Sequence, residues 1–165
     1  MGRCEEQNVK EEFQMAESNE KLVALKIEPS SIVIKVELPP AEYKYQRMKK
    51  GIGELCGFID IKDIYEELGL DDYCLVFDDE FLLNGRPILN PIASYLFGYQ
   101  EYGQPLCGNV LVMKNFINDD GEIDTVGLED EDINRITSFI NNNIDKIFAT
   151  ANEFMEQIIK HMIRK

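Results

Sequence analysis

The side chains best placed to do chemistry in this chain are carboxylates, and they come in runs. Asp71-Asp72 and Asp78-Asp79-Glu80 lie mid-chain; Asp119, Asp120, Glu122 and Asp124 follow later, with Glu129-Asp130-Glu131-Asp132 close behind. Neighbouring carboxylates serve as acid and base only when differently polar surroundings drive their pKa values apart. Runs like these form solvated turns more often than catalytic pairs. The stretch Asp119 to Asp124 has oxygens at alternate positions and a glycine, as a calcium loop does, but it lacks that loop's full spacing and closing glutamate. His161, the one imidazole, shares its segment with Ile158 and Met162 and has no Cys or Ser nucleophile motif nearby, so it reads as a surface or interface residue. Gly51, Gly53 and Gly57 are not followed by the Gly-Lys-Ser/Thr of a phosphate loop. Cys4, Cys56, Cys74 and Cys107 are far apart with no CxxC pair, which points to free thiols in a reducing compartment rather than to zinc ligands. The reading is a non-enzyme, with no catalytic residue, no metal and no cofactor.

The distribution of charge says more. The formal charge is −14, from 31 acidic and 17 basic residues, which argues against a nucleic-acid backbone as direct partner and for a partner with a basic surface. Between Glu54 and Glu80 there are ten acidic residues and one basic, and between Asp119 and Asp132 eight acidic and none basic. If the fold brings these segments together, the acidic runs named above form a focused negative surface able to imitate a phosphate track and fill a basic groove. If it does not, they are ordinary solvated loops.

Elements must position these groups. With 165 residues, 44% of them hydrophobic, the chain can bury one core plus appendages. Residues 1–20 are a polar, acidic leader expected to be disordered, with no signal peptide; no segment approaches a membrane span, so the expectation is cytoplasmic. Residues 21–116 read as an α+β core domain, a small mixed or antiparallel sheet packed by one or two helices. KLVALKIEP and SIVIKVEL are neighbouring strands, with Ile32, Ile34, Val36 and Leu38 predicted to share the core face. Pro39-Pro40 starts a helix that buries Ala41, Tyr45, Met48, Ile52 and Leu55 and leaves Lys44, Arg47, Lys49 and Lys50 outside. FIDIKDI is a strand, YCLVF a strand buried on both faces, and Asn84-Gly85 a hairpin turn. Asn90 caps a short helix begun by Pro91 and ended by Gly98; a loop then leads to a last strand, NVLVMKNF. Residues 117–129 are an acidic linker. Residues 130–165 are a long C-terminal helix, roughly 50 Å if continuous, which either breaks near Asn141-Asn142-Asn143 or packs on another chain through Ile140, Ile144, Ile147, Phe154 and Ile158.

The stretch Met48 to Met113 resembles the domain-of-unknown-function family numbered 3846, from phages, prophages and plasmids of Gram-positive bacteria. MKKGIGELCGFIDI is similar to that family's glycine followed by a strand. LVFDDEFLLNGRPILNPIAS is similar to its strand, acidic turn, Leu-x-Gly and Asn-x-x-Ala segment, and GNVLVM to its closing strand. VGLEDEDINRI looks like a segment that follows the domain in some members, whereas the leader and the long helix depart from the pattern. The resemblance implies a mobile-element origin and supplies no chemistry. The leading expectation is a phage or plasmid protein that inhibits a host nucleic-acid-binding defence protein, of the CRISPR or restriction type, through its acidic surface. Charge reversal at Asp78, Asp79 and Glu80 would then abolish binding, unless inhibition works sterically through Tyr95, Phe97 and Tyr99. A nucleotide-sequestering protein using Arg86 with Lys62 or Lys114 is the rival, and an assembly protein forming a homodimer through the C-terminal helix is the third reading.

Overall fold

The computed structural model describes residues 20–80 and 88–163. In chain order the elements are β1 (Val23–Ile27), β2 (Val33–Glu37), α1 (Lys44–Ile52), β3 (Ile59–Asp63), a 3-10 turn (Glu66–Leu68), β4 (Tyr73–Asp78), α2 (Pro91–Phe97), α3 (Tyr99–Tyr102), β5 (Val110–Ile117), β6 (Ile123–Val126), α4 (Asp130–Asn142) and α5 (Ile144–Ile163). The fold is α+β, and every strand pair is antiparallel. The strands lie in the order β2-β1-β5-β4-β3, and β6 also pairs with β5. β5 is long enough to hold two partners end to end on one edge. Its Val110–Val112 pairs with β1 and its Lys114–Ile117 with β6.

Alternation along the strands builds a core on each face of the sheet. Tyr73, Leu75 and Phe77 of β4 point with Leu25, Ile27, Val110 and Val112 into a core closed by α2, α4 and α5. Cys74 and Val76 point the other way with Ala24, Leu111 and Met113, under Met48 and Ile52 of α1. All six residues of β4 are buried, as YCLVF predicts. Burial pushes the Cys74 thiol up to about 12 and the Cys56 thiol to about 11, so both are inert core groups.

Covering both faces overrides two expectations. On β2, Val36 and Leu38 pack beneath α1, but Ile32 and Ile34 are exposed because β2 is an edge strand, while Val33 packs against the opposite core. The helix α1 starts at Lys44 rather than at Ala41 and ends at Ile52; Tyr45 on it and Leu55 beyond its end are exposed, and Arg47 is only 3% exposed. The Arg47 guanidinium donates to the carbonyls of Leu38 (3.1 Å) and Pro39 (3.2 Å), which satisfies the chain where it leaves β2. Gly51 lets α1 lie this low, since a Cβ there would sit 2.5 Å from the Leu38 side chain.

Downstream, α2 has the expected cap and stop. The Asn90 side chain accepts from the Ala93 N–H, Pro91 opens the first turn, and Gly98 closes the helix in the left-handed conformation. The loop after it holds the short helix α3. The 117–129 linker is not a linker: it contains β6, joined to β5 by a turn in which Asn118 Oδ1 accepts from the N–H groups of Asp120 and Glu122. The Asn84-Gly85 turn, Arg86 and residues 1–19 of the leader lie outside the described residues.

The C-terminal helix breaks at Asn143, whose N–H bonds to the carbonyls of Phe139 and Ile140. The break lets the apolar stripe of α4 and the first half of α5 pack within the chain, while Phe148, Met155, Ile158 and Ile159 of α5 stay exposed. Ile140 is 3% and Ile147 0% exposed in the core, with Ile144 packed against it. Phe154 meets Tyr99 edge to face at 5.0 Å. Of the five residues expected at an interchain interface, only Ile158 is exposed.

Candidate functional site

Strand register decides where the carboxylates go. β4 begins at Tyr73, opposite Lys114 of β5, and β3 ends at Asp63, opposite Cys74, so Asp63, Asp71 and Asp72 share one end of the sheet. The β5–β6 hairpin runs three residue pairs beyond Lys114 and carries Asp119, Asp120 and Glu122 at its turn. From β6 the chain passes to the first turn of α4, where Glu129, Asp130, Glu131 and Asp132 follow. The second acidic segment thus joins the Asp71-Asp72 part of the first.

It does not join Asp78-Asp79-Glu80. That run closes β4 at its other end, about 17 Å away along the strand. Asp78 is buried, and its carboxylate accepts from the Glu80 N–H. These three residues belong to a separate turn, because a six-residue strand stands between them and Asp72.

Within the acidic end the carboxylates differ in role. Asp132 is 6% exposed and holds the fold together. Its Oδ1 accepts from the Tyr73 hydroxyl (2.7 Å) and from Lys114 Nζ (3.3 Å), and its Oδ2 from the Glu129 N–H (2.9 Å). Glu129 returns a bond to the Asp132 backbone, completing a capping box at the positive end of α4. Burial raises the pKa of Asp132, but the bonds from Tyr73, Glu129 and Lys114 outweigh it and leave the group below its ordinary value. Burial pushes the Tyr73 hydroxyl up to about 12, helped by Asp132, and the Arg135 guanidinium lies 5.6 Å over the Tyr73 ring. Asp132 is therefore a structural carboxylate rather than a partner-binding one.

Asp124 pairs with Lys44 (3.1 Å), Asp72 with Arg135 (3.3 Å) and Asp130 with Lys35 (3.2 Å). The exposed Asp72–Arg135 and Asp130–Lys35 pairs contribute about 0–1 kcal/mol each, so a partner could compete for them. Asp71, Asp119, Asp120, Glu122 and Glu131 are exposed and, among the described residues, enter no ion pair. Lys35, Lys44, Lys114 and Arg135 are engaged by Asp130, Asp124, Asp132 and Asp72. The charge at the hairpin turn, on Asp119, Asp120 and Glu122, is paired with no cation among the described residues.

The hairpin has a second property that composition concealed. Ile117 and Ile123 face each other across it and are 67% and 71% exposed, and Phe116 is exposed on the other face. Apolar side chains beside free carboxylates suit a protein-docking surface, where apolar anchors supply affinity and charge supplies steering. The alternation of Phe116-Ile117 and Ile123 about Asn-Asp-Asp-Gly was the available signal.

The cations proposed for a nucleotide site are not gathered. Lys62 lies on the exposed edge strand β3, next to Asp60 at 4.0 Å, while Lys114 is held by Asp132. Tyr95 and Tyr99, named for steric inhibition, are buried, and Phe97 is partly buried. Among the described residues, no helix is long and apolar enough to cross a membrane.

No family model, curated protein or solved structure matches this chain. Its function is read from its geometry.

Proposed function

We propose that this protein is a non-enzymatic binder whose acidic sheet end docks on the basic, nucleic-acid-binding surface of another protein and competes with nucleic acid for it. The observation that carries the reading is the convergence of Asp63, Asp71 and Asp72 with the 119–131 segment, at an end where Lys44, Lys114 and Arg135 are already paired. A row of carboxylates projecting from a hairpin offers a basic groove the charge of a phosphate track without its bases. The motif likeness to the 3846 family supports a mobile-element origin in a bacterium, and the target we propose there is a host defence protein.

The test uses immobilised protein and a bacterial lysate. Retained proteins are expected to bind nucleic acid and to elute with added salt or added DNA or RNA. Replacing Asp119, Asp120 and Glu122 by lysine together should reduce retention about a hundredfold, as loss of several steered ion pairs implies. Asp79→Lys, at the far end of β4, should leave it intact. Retention indifferent to salt, nucleic acid and the hairpin charges would contradict the proposal.

A further inference from the structure

Two carboxylates outside the hairpin, Glu67 and Glu101, stand among tyrosines. The Glu66–Leu68 turn, the α2–α3 junction and the start of α5 enclose an open cleft of about 360 Å³ lined in part by Tyr65, Glu67, Tyr95, Tyr99, Glu101 and Lys146. The aromatic walls are fixed by packing. Gly98 ends α2 and leads into α3 at φ 78°, and a Cβ there would lie 2.7 Å from Tyr65 Cγ, so the Tyr65 ring rests directly on glycine backbone. The Tyr65 N–H donates to the Leu96 carbonyl (2.8 Å), and its ring meets Tyr102 edge to face at 6.1 Å. Tyr99 is held by Phe154 and donates its hydroxyl to the Thr150 carbonyl.

The charges line the same cleft as these rings. Glu67 and Glu101 line the cleft with Tyr65, whose pKa is raised by burial and then by these two carboxylates. Lys146 is exposed on the rim and, among the described residues, forms no ion pair. An adjoining cleft of about 300 Å³ shares Tyr99 and Gln100, adds Glu153 and Phe154, and has no cation in its lining. Aromatic faces beside carboxylates repel phosphate and attract a cation. A planar guanidinium suits them better than an ammonium, because it stacks on a ring while its N–H fork reaches carboxylates.

We propose that this cleft receives an arginine side chain of the protein partner. The inference deepens the reading above and rests on it, since the 3-10 turn follows β3 at the same acidic end of the sheet. Lys146 is the resident cation that the arginine displaces.

The test is an NMR titration of the full chain with Nα-acetyl-arginine amide, and with the citrulline and lysine analogues as separate arms. The arginine probe should give saturable amide shifts at Gly98, Gln100 and Glu101 in the millimolar range. Citrulline, the same shape without charge, should bind at least about tenfold more weakly. Glu67→Gln with Glu101→Gln should weaken the arginine probe by a similar factor, and Lys146→Ser should tighten it. All of these substitutions are on exposed residues, and the amide spectrum reports whether each variant folds. No saturable shift, equal shifts with citrulline, or shifts confined to the hairpin would overturn the proposal, and equal binding of the lysine analogue would overturn its assignment to a guanidinium. Asp119→Asn, Asp120→Asn and Glu122→Gln together should leave the probe's affinity unchanged while weakening partner retention, though less than the lysine replacements do, so the cleft and the hairpin reading fail separately.

Discussion

Asn90→Ala is expected to destabilise the protein by about 3 kcal/mol, measured as a shift in the urea midpoint at constant m-value. Asn90 is 0% exposed and uses its whole amide. Its Nδ2 donates to the carbonyls of Ile27 (2.9 Å) and Gly108 (2.8 Å), and its Oδ1 caps α2 at Ala93. Loss of a cap costs about 1 kcal/mol, and the lost hydrogen bonds to the buried Ile27 and half-buried Gly108 carbonyls add about 1 more each. One side chain thus ties β1, the chain before β5 and the helix that carries the tyrosine cleft. Asn90→Asp keeps the cap acceptor but places a carboxylate against two carbonyls, so it should be at least as harmful at neutral pH. A change within about 0.5 kcal/mol for either variant would show that this tie does not hold the fold.

The second large effect belongs to Asp132. Removing a buried, paired carboxylate strands its partners, here the Tyr73 hydroxyl and the Glu129 N–H; Lys114 is half-exposed and can turn to water. Asp132→Ala should therefore cost about 3 kcal/mol at neutral pH, the lower end for a broken buried pair. Its pH dependence has a definite sign. The folded pKa lies below the unfolded one, so the stabilisation is fully present above about pH 4 and disappears as pH falls through the folded value. The gap between wild type and Asp132→Asn should narrow on acidification from pH 7 to pH 2. A gap independent of pH would mean that Asp132 acts by shape alone.

Local signals carried much of the fold. Asn90-Pro91 and Gly98 bound a helix whose ends depend on residues within one turn of them, and the run of asparagines breaks the long helix at Asn143 by the same local means. The apolar run at β4 showed a strand buried on both faces. What the sequence hid were partnerships. β6 has four residues, with Asp124 among them, and becomes a strand only because the far half of β5 has a free edge. Arg47 looked like a solvated charge because its carbonyl partners belong to another element. The stripe of isoleucines on α4 and α5 says that something covers it, not that the cover is the chain's own core. The acidic surface was half legible for the same reason. Asp72 and Asp78 are close in sequence and belong to one acidic segment, yet β4 sets them at opposite ends of the sheet.

The hairpin and the start of β4 are therefore the stated site, and a footprint tests this most directly. Hydrogen exchange of the full chain, measured with and without an octa-arginine peptide as a model of a basic groove, should show protection over 117–124, at Asp71 and Asp72, in the first turn of α4, and at Gly98 to Glu101 beside the arginine cleft. That protection should fade as salt is raised. Protection centred on Asp79 and Glu80, or none at low salt, would contradict the claim that the acidic end of the sheet is the docking surface.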